Sequence, residues 1–392
     1  MMLMLVGVVG APNKGKSTIF SALTMVEAEI ADYPFTTIKP NIGVAYATKE
    51  CVHKELGVAC RPRNSLCTEG VRRIPVNIVD VAGLVPGAHL GKGMGNQFLN
   101  DLVSADALIQ VVDISGETDV EGKPGTGCDP SLEVSMIKDE IAEWLADIIT
   151  KHLPSLSKRP DGAKALHELL SGFKATIKQV EKAASSASLT LSSIGWNKDS
   201  AKRFAVSLLA ANKPVLVAAN KLDKSGDEKL LGLKKKLGES VVVGCSGAIE
   251  LALRRASKSG AIDYIPGSST FSIKGGVTAE QEKALRYMLK YVESRNGTGV
   301  QEILNKAYFE VLDNIVVYPV EDENRYTDHF GNVLPDAILM KRGATALDLA
   351  ERIHTDIAKR MLYAVDARKK VRLSKDYKLN DNDIIKIVTS GR

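Results

Sequence analysis

Residues 10–18 combine glycine, lysine and hydroxyl side chains at a spacing that can hold a phosphate chain. The segment reads GAPNKGKST and contains the pattern G-x-x-x-x-G-K-S. Backbone N–H groups of such a loop can surround an anion, and the N-terminus of a following helix adds a positive dipole. We expect Lys16 to reach the β- and γ-phosphates of a nucleotide, and the Ser17 hydroxyl to bind Mg²⁺. The predicted phosphate-binding residues are Gly10, Asn13, Lys14, Gly15, Lys16, Ser17 and Thr18.

An acidic residue follows a second apolar run, VNIV (76–79), which predicts a strand. Asp80 at the end of that strand can hold a water of the Mg²⁺ ion, and the N–H of Gly83 can meet a γ-phosphate. Ser17 and Asp80 are therefore candidate metal residues. A phosphate loop by itself is compatible with kinases, ATPases and GTPases, so the base-binding residues must decide among these classes.

The sequence NKLD follows the run VLVAA (215–219) and could select the base of the nucleotide. The Asp223 carboxylate can accept the N1–H and the 2-amino group of guanine, and adenine has neither donor. The stem of Lys221 can cover the base, while Asn220 can tie the pocket to the phosphate loop. The predicted guanine-binding residues are Asn220, Lys221, Asp223 and the Ser246, Gly247 and Ala248 that follow the run VVV (241–243). This set predicts GTP binding.

Three segments together resemble the Obg family of GTPases: GAPNKGKST, DYPFTTIKPNIG (32–43) and DVAGLVPGAHLGKGMGNQFL (80–99). The C-terminal part resembles a TGS domain, and the whole chain is similar to the YchF-like branch of the family. Many YchF-like proteins carry N-x-x-E where this chain has NKLD, so we expect GTP to be preferred here. The resemblance also implies a contact with the ribosome or RNA. An ATPase of the YchF type is the alternative enzyme.

The resemblance assigns Thr37 to Mg²⁺ and the γ-phosphate, although Thr36 and Thr37 could also be ordinary residues of a surface turn. Leu84 stands where Ras-like proteins carry the glutamine that orients the attacking water, so slow hydrolysis is expected. Either Asn13 ligates K⁺ beside the phosphates, as in related GTPases, or it only braces the loop through a bond to the main chain. The predicted catalytic residues are Lys16, Thr37, Gly83 and Asn13. A nucleotide-gated scaffold with incidental hydrolysis remains the alternative to a GTPase switch.

The elements that must position these residues predict an α/β fold. The chain has 392 residues, 44% of them hydrophobic, which suits two or three domains and excludes a disordered chain. We expect a P-loop NTPase domain with a Ras-like, mostly parallel sheet over residues 1–312. Residues 313–392 are expected to form a β-grasp TGS domain, with a helix from Ala346 to Val365.

An insertion is predicted because 102 residues (113–214) separate two strand-like runs. Apolar residues repeat there with steps of three and four, which predicts two helices that form an antiparallel hairpin over about 116–210. Pro154 and Pro160 would turn the chain, and the hairpin would project from the domain as a lid, a strut or a partner-binding arm. A further helical segment is expected over about 249–312. The apolar positions are Val134, Ile137, Ile141, Trp144 and Ile148, then Leu166, Leu170, Phe173, Ile177 and Val180.

The positive charge of the chain is concentrated near its C-terminal end. Residues 341–378 hold eleven Lys or Arg against five Asp or Glu, a net of +6, while the whole chain carries +5. Contact with RNA phosphates is one interpretation, and a solvated helix face is the other. No apolar run reaches the ~18 residues of a membrane helix, and no basic leader precedes the first strand. A cytoplasmic protein is expected.

Cys51, His53, Cys60 and Cys67 lie within one short stretch. A zinc site is conceivable, but the stretch lacks the C-x₂-C pair of common zinc motifs. Free thiols or a single disulfide are the favoured interpretations.

Overall fold

The computed structural model describes residues 4–25, 41–81, 102–192 and 194–390. A seven-stranded sheet has the order β2-β4-β1-β5-β6-β7, with β3 paired to β4. The strands from β4 to β7 in this order are parallel to their neighbours, whereas β2 and β3 run antiparallel to β4. The bounds are β1 (Leu5–Val9), β2 (Ile42–Glu50), β3 (Leu66–Thr68), β4 (Val71–Asp80), β5 (Ala107–Asp113), β6 (Val215–Asn220) and β7 (Val242–Gly244). The predicted mostly parallel sheet is confirmed.

The central strands β1 and β5 are buried at every residue, as their continuous apolar runs predict for a sheet covered on both faces. Parallel strands end at a common edge, and ligands of open α/β sheets bind there. Register places Val8 beside Asp80, Asp113 beside Asn220, and Ala219 beside Gly244. This edge therefore collects the predicted phosphate, metal and base residues.

Helices cover both faces of the sheet. They are α1 (Lys16–Thr24), α2 (His53–Leu56), α3 (Pro130–Leu156), α4 (Gly162–Leu169), α5 (Ile177–Ser186), α6 (Lys198–Asn212), α7 (Asp227–Leu237), α8 (Gly247–Lys258), α9 (Ala279–Arg295) and α10 (Val300–Asn305). A small ribbon of β8 (Ile262–Asp263) and β9 (Ser272–Ile273) precedes α9. No helix of the described residues is long and apolar enough to span a membrane.

The insertion differs from the predicted two-helix hairpin. It contains the four helices α3 to α6, and the second predicted helix is broken by a short 3₁₀ turn at Ser171–Phe173. Lys174 then takes a left-handed conformation (φ 56°), and the capping box of Thr176 starts α5 anew. Pro154 does not end α3, because it lies in the last turn, which continues to Leu156.

The insertion also does not project as an arm. Its apolar residues form one core with the sheet, so these helices cover one face of the G domain. From the sheet this core includes Leu5, Val79 and Leu108, and from the insertion Ile137, Ile141, Leu145, Leu166, Phe173, Val180 and Phe204.

The C-terminal residues form a second, five-stranded sheet of order β11-β10-β14-β12-β13. Its central strands β10 and β14 are parallel and the other pairs are antiparallel, which is the arrangement of a β-grasp fold. The bounds are β10 (Asn314–Val320), β11 (Ile338–Lys341), β12 (Met361–Asp366), β13 (Val371–Leu373) and β14 (Asp383–Thr389), with helices α11 (Ala346–Ile353) and α12 (Thr355–Arg360).

The helix predicted from Ala346 to Val365 is therefore wrong in its last quarter. The segment after Arg360 is strand β12, which pairs with both β13 and β14. Leu362 is exposed, whereas Met361 and Ala364 are buried. Pairing with the neighbouring strands, rather than an apolar helical face, therefore determines the secondary structure of this segment.

Candidate nucleotide-binding site

The phosphate loop connects β1 with α1 at the carboxyl edge of the sheet. Gly15 precedes α1 with a φ of 88°, a left-handed conformation that glycine adopts without strain. A Cβ atom here would lie 2.2 Å from Asn220 Nδ2, and one at Gly10 would lie 2.6 Å from the carbonyl oxygen of Val111. The loop thus lies against β5 and β6 at distances that require glycine.

Lys16 and Asp80 meet at this edge. The Lys16 ammonium group forms an ion pair with Asp80 Oδ1, and the two side chains remain 12% and 25% exposed. Ser17 is exposed in the first turn of α1. Its hydroxyl and the Asp80 carboxylate are hard oxygen donors of the kind that Mg²⁺ prefers. The donor set therefore fits a magnesium ion beside a phosphate chain.

The side chain of Lys14, one of the predicted phosphate-binding residues, is engaged by the insertion. The buried ammonium group donates to Thr118 Oγ1 at 2.8 Å and to the Asp119 carbonyl oxygen at 2.6 Å. It also forms an ion pair with Glu133 Oε1 at 2.5 Å. A lysine ammonium group has three donor protons. Only the main chain of Lys14 thus remains for a phosphate, and the side chain joins the loop to the insertion instead.

Glu133 is a residue that the sequence analysis missed. It lies in the first turn of α3, and only 3% of its side chain is exposed. Burial raises the pKa of its carboxyl group to about 7, against the opposing influence of the Lys14 ammonium group. No sequence signal pairs the two residues, because 119 positions separate them.

Asn13 takes a left-handed conformation with φ of 61°. Its amide nitrogen Nδ2 donates to the carbonyl oxygen of Gly122 at 2.9 Å. The bracing interaction of the loop is therefore present in the structure. Because the bond uses Nδ2, the oxygen Oδ1 is the atom that a cation would require.

Asn220 links the base motif to two other segments. Its Nδ2 donates to the carbonyl oxygen of Lys14 at 2.8 Å, and its Oδ1 accepts from the N–H of Gly247 at 2.9 Å. This is the tie to the phosphate loop that the sequence predicted. The same side chain also positions the start of α8. The loop at this point, with Ser246, Gly247 and Ala248, is the predicted second contact to the base.

The side chains beside Asn220 are fixed by neighbouring polar groups. Ser246 Oγ donates to Asp223 Oδ1 at 2.5 Å, while the Lys221 ammonium group donates to Asp113 Oδ2 at 2.8 Å. Lys221 adopts a left-handed conformation (φ 63°) that reverses the chain after β6, and Ala248 is exposed. The predicted base residues therefore form one cluster with one Asp223 oxygen engaged by Ser246.

Models of three protein families match successive parts of this chain. They are described as 50S ribosome-binding GTPase over residues 5–153, Obg-like GTPase YGR210-like, G4 motif-containing domain over 218–322, and TGS domain over 330–389. A relative from Methanocaldococcus jannaschii, the uncharacterized GTP-binding protein MJ1332, is 47% identical over 99% of this chain and 100% of its own. The chain belongs to the Obg-like P-loop GTPases. Its TGS domain follows the G domain, as the sequence predicted.

This Obg-like chain is also similar to a protein of known structure and to a YchF protein. The crystal structure of a GTP binding protein from Pyrococcus horikoshii OT3 has a TM-score of 0.78 and 38% identity, and the match covers 99% of this chain and 100% of the other. The ribosome-binding ATPase YchF of Mycoplasma genitalium is 28% identical over 90% of this chain and 85% of its own. The match to the crystal structure extends over both domains.

Several predicted residues of the Obg-like motifs lie outside the described residues. They are Thr37 with its neighbour Thr36, Gly83 and Leu84. Their roles at the γ-phosphate and the attacking water stay predictions.

Asp113 is a second residue of the Obg-like site that sequence analysis missed. It ends β5, and its side chain has no exposed surface. Burial by itself would raise the pKa of this carboxyl group, but hydrogen bonds from Lys221, Ser115 and Thr118 lower it, and the net shift is downward. An ionised Asp113 thus anchors both the base-motif lysine and the loop that holds Lys14. The signal was an acidic residue at a strand end in line with Asp80.

Helix α9 supplies an aromatic residue near the base motif. Burial raises the pKa of Tyr291, and the nearby Asp223 carboxylate raises it further. The Arg295 guanidinium group lies 5.3 Å from the centre of the Tyr291 ring. The sequence predicted only that this segment is helical.

Proposed function

We propose that the protein binds GTP with Mg²⁺, hydrolyses it slowly, and acts as a switch on the ribosome or RNA. The observation that carries the proposal is the base cluster, in which Asp223 lies beside Ser246 while Asn220 bonds to the phosphate loop. A carboxylate in this position distinguishes guanine from adenine by two donors that adenine lacks. The names of the relatives from Methanocaldococcus jannaschii and Pyrococcus horikoshii support GTP.

In this proposal Lys16 contacts the β- and γ-phosphates, while Ser17, Thr37 and Asp80 hold the magnesium ion directly or through water. The bound ion would neutralise charge that develops on the phosphate oxygens. The Gly83 N–H would meet the γ-phosphate. Because Leu84 cannot orient a water molecule, hydrolysis is slow unless a partner or another ion contributes.

The proposal also includes a potassium ion bound by Asn13. It would bring a positive charge beside the β- and γ-phosphates, where no arginine finger is evident from the sequence. Oδ1 of Asn13 is the donor atom for this ion, since Nδ2 bonds to Gly122.

The proposed partner rests on the C-terminal domain. Exposed basic side chains lie in β13 and in the loops after β12 and β13, where they could contact RNA phosphates. They are Arg368, Lys369, Lys370, Arg372, Lys375 and Lys378. The relative from Mycoplasma genitalium is named a ribosome-binding ATPase. Binding to ribosomes would place the protein in the cytoplasm.

Two alternatives differ in the nucleotide or in the role of hydrolysis. An ATPase is favoured by the relative from Mycoplasma genitalium, which is named a ribosome-binding ATPase. A nucleotide-gated scaffold is favoured by Leu84, because a switch can respond to binding without efficient hydrolysis.

Competition between nucleotides tests the proposal. A fluorescent GDP analogue is bound to the full chain with Mg²⁺ and displaced by GTP or ATP. We expect GTP to compete at least about 100-fold better than ATP, since a site built for hydrogen bonds rejects a ligand that lacks them. Equal competition would favour the ATPase. Cosedimentation with ribosomes in the presence of a non-hydrolysable GTP analogue, but not GDP, tests the switch.

A further inference from the structure

The outer end of the sheet brings together four side chains outside the nucleotide site. Cys51 follows β2, His53 begins α2, Cys60 lies in the next loop, and Cys67 lies in β3. Pairing of β2 and β3 with the same strand, β4, brings the ends of this stretch together. The sequence spacing is C-x-H-x₆-C-x₆-C. The sheet, rather than a short C-x₂-C turn, therefore brings these side chains together.

The ligand atoms of these side chains have the separation of a small metal site. One atom from each residue lies within 4.8 Å of all the others. His53 Nδ1 is 3.1 Å from Cys60 Sγ and 3.6 Å from Cys67 Sγ. Tetrahedral zinc with ordinary Zn–S and Zn–N bonds holds its ligand atoms about 3.5–3.8 Å apart. All three cysteines are free thiols in the structure, so no disulfide accounts for the cluster.

A buried positive charge beside the cluster provides an independent observation. Arg72 of β4 is the direct cross-strand neighbour of Cys67, and the whole residue is inaccessible to solvent. Its Nη2 donates to the carbonyl oxygen of Leu334, but Nε and Nη1 have no hydrogen-bond partner among the described residues. A buried arginine is costly without a compensating negative charge.

We propose that Cys51, His53, Cys60 and Cys67 form a closed, structural zinc site. Three thiolates and one neutral imidazole around Zn²⁺ carry a net charge of −1, which would compensate the adjacent Arg72. Binding converts three thiols to thiolates and releases their protons to solvent, with no change of oxidation state. Four protein ligands leave no open position, so the site has the composition of a structural rather than a catalytic centre.

The position of the site gives it a role between the two domains. The loop between Cys60 and Cys67 bonds to the C-terminal domain, where Arg61 N–H donates to the Val333 carbonyl oxygen and Arg63 N–H to that of Pro335, both at 2.8 Å. Asn64 Nδ2 donates to Asp336 Oδ1 at 2.7 Å. Zinc would therefore hold in place the G-domain loop that contacts the TGS domain.

The metal content of the full chain, purified without chelator, tests the site. We expect one zinc ion per chain by elemental analysis. Cys60→Ser and Cys67→Ser should each lose it, while the matched control Cys128→Ser retains it. His53→Cys should also retain zinc, because a thiolate can replace the imidazole, whereas His53→Ala should not.

A measurement on the unaltered chain keeps the test independent of variant folding. After chelation and exchange into Co²⁺, the visible absorption of a tetrahedral cobalt thiolate centre should appear at one equivalent. Hydrogen exchange should then slow in residues 57–66 and 333–337 when Zn²⁺ is restored. Absence of both zinc and the cobalt spectrum in a chain with five reactive thiols would overturn the proposal. A mass lower by two hydrogens would overturn it as well, since it would indicate a disulfide.

Discussion

At the scale of single residues, Lys14 and Lys16 show that the surroundings of a lysine determine its role. Both belong to one phosphate loop, but Lys14 is wholly buried and bonded to Glu133, whereas Lys16 keeps 12% of its side chain exposed and contacts Asp80. The G-x-x-x-x-G-K-S pattern assigns the second lysine to the phosphates, and the structure places it beside Asp80 at the carboxyl edge of the sheet. The pattern cannot show that the side chain of the first lysine is engaged elsewhere, because the partners of that side chain come from a distant insertion.

The Lys14–Glu133 pair predicts a pH dependence of stability. Burial raises the pKa of Glu133 from 4.5 to about 7, so the folded state binds a proton that the unfolded state has released between these values. Stability from this group is present below pH 4.5 and is lost as pH rises towards 7, at up to about 1.4 kcal/mol per pH unit. Glu133→Gln should remove this component of the free energy of unfolding, measured by urea denaturation from pH 5 to 7.

The control for this pH effect is Glu117→Gln, which alters an exposed ion pair with Lys224. It should leave the pH profile as in the unaltered protein and change stability by no more than about 1 kcal/mol. Parallel profiles for Glu133→Gln and the unaltered protein would show that Glu133 titrates normally.

Asn13 predicts a dependence of hydrolysis on the alkali cation. If Oδ1 ligates K⁺, the GTPase rate should be higher in KCl than in NaCl at equal ionic strength, by about tenfold or more, since one charge-stabilising contact is worth ~10²–10³-fold. Asn13→Ala should abolish this difference, and Asn324→Ala, at an exposed position, should not. A variant that is slower by the same factor in both salts would leave Asn13 as a brace through Gly122.

At the element scale, the sequence predicted the strands better than the insertion. Strand β6 is buried from Leu216 onwards and the neighbouring β5 is buried throughout, so their apolar runs alone identify them. In the insertion, the three–four spacing correctly marked Leu166, Leu170, Phe173 and Val180 as buried, but Ile177 of the same series is 41% exposed. Spacing reports which residues face a core, but not whether one helix carries them. The left-handed Lys174 that breaks the helix leaves no periodic signal.

The shared core of insertion and sheet predicts a single unfolding transition. Phe204 of α6 has no exposed surface and belongs to that core, whereas Val206 on the same helix is 49% exposed. Phe204→Ala should lower the free energy of unfolding of the whole G domain by about 3–5 kcal/mol, and Val206→Ala by much less. Calorimetry that showed a separate, lowered transition for the insertion would instead indicate an independent arm.

At the scale of the whole molecule, the TGS domain is packed on the G domain. Val316, Tyr318 and Ile384 of its sheet belong to the same buried cluster as Val6 and Ile19. Residue periodicity within either domain cannot predict this interface, because its two sides are about 300 positions apart in sequence. Deletion of the domain would expose the cluster, so partner binding is better examined with surface variants of the full chain.

The basic surface of the TGS domain predicts a salt-dependent contact with RNA. Replacing Lys369, Lys370 and Lys375 with glutamine should weaken binding of a single-stranded RNA and reduce the slope of log K against log salt by about 2, at ~0.7 per phosphate contact. The control replaces three lysines that are also exposed, Lys258, Lys283 and Lys290, and changes the net charge equally. Equal loss in both variants would mean that only net charge matters.

Guanine selection by Asp223 is tested most directly by comparing the affinities for GTP and XTP. Xanthine has a carbonyl oxygen where guanine has its 2-amino group, so an amide can meet xanthine while a carboxylate cannot. Affinities for GTP and XTP are measured for the unaltered chain, Asp223→Asn and the exposed control Asp263→Asn. We predict that only Asp223→Asn reverses the preference from GTP to XTP. A variant at Asp223 that still prefers GTP as strongly as the control would contradict this account of the site.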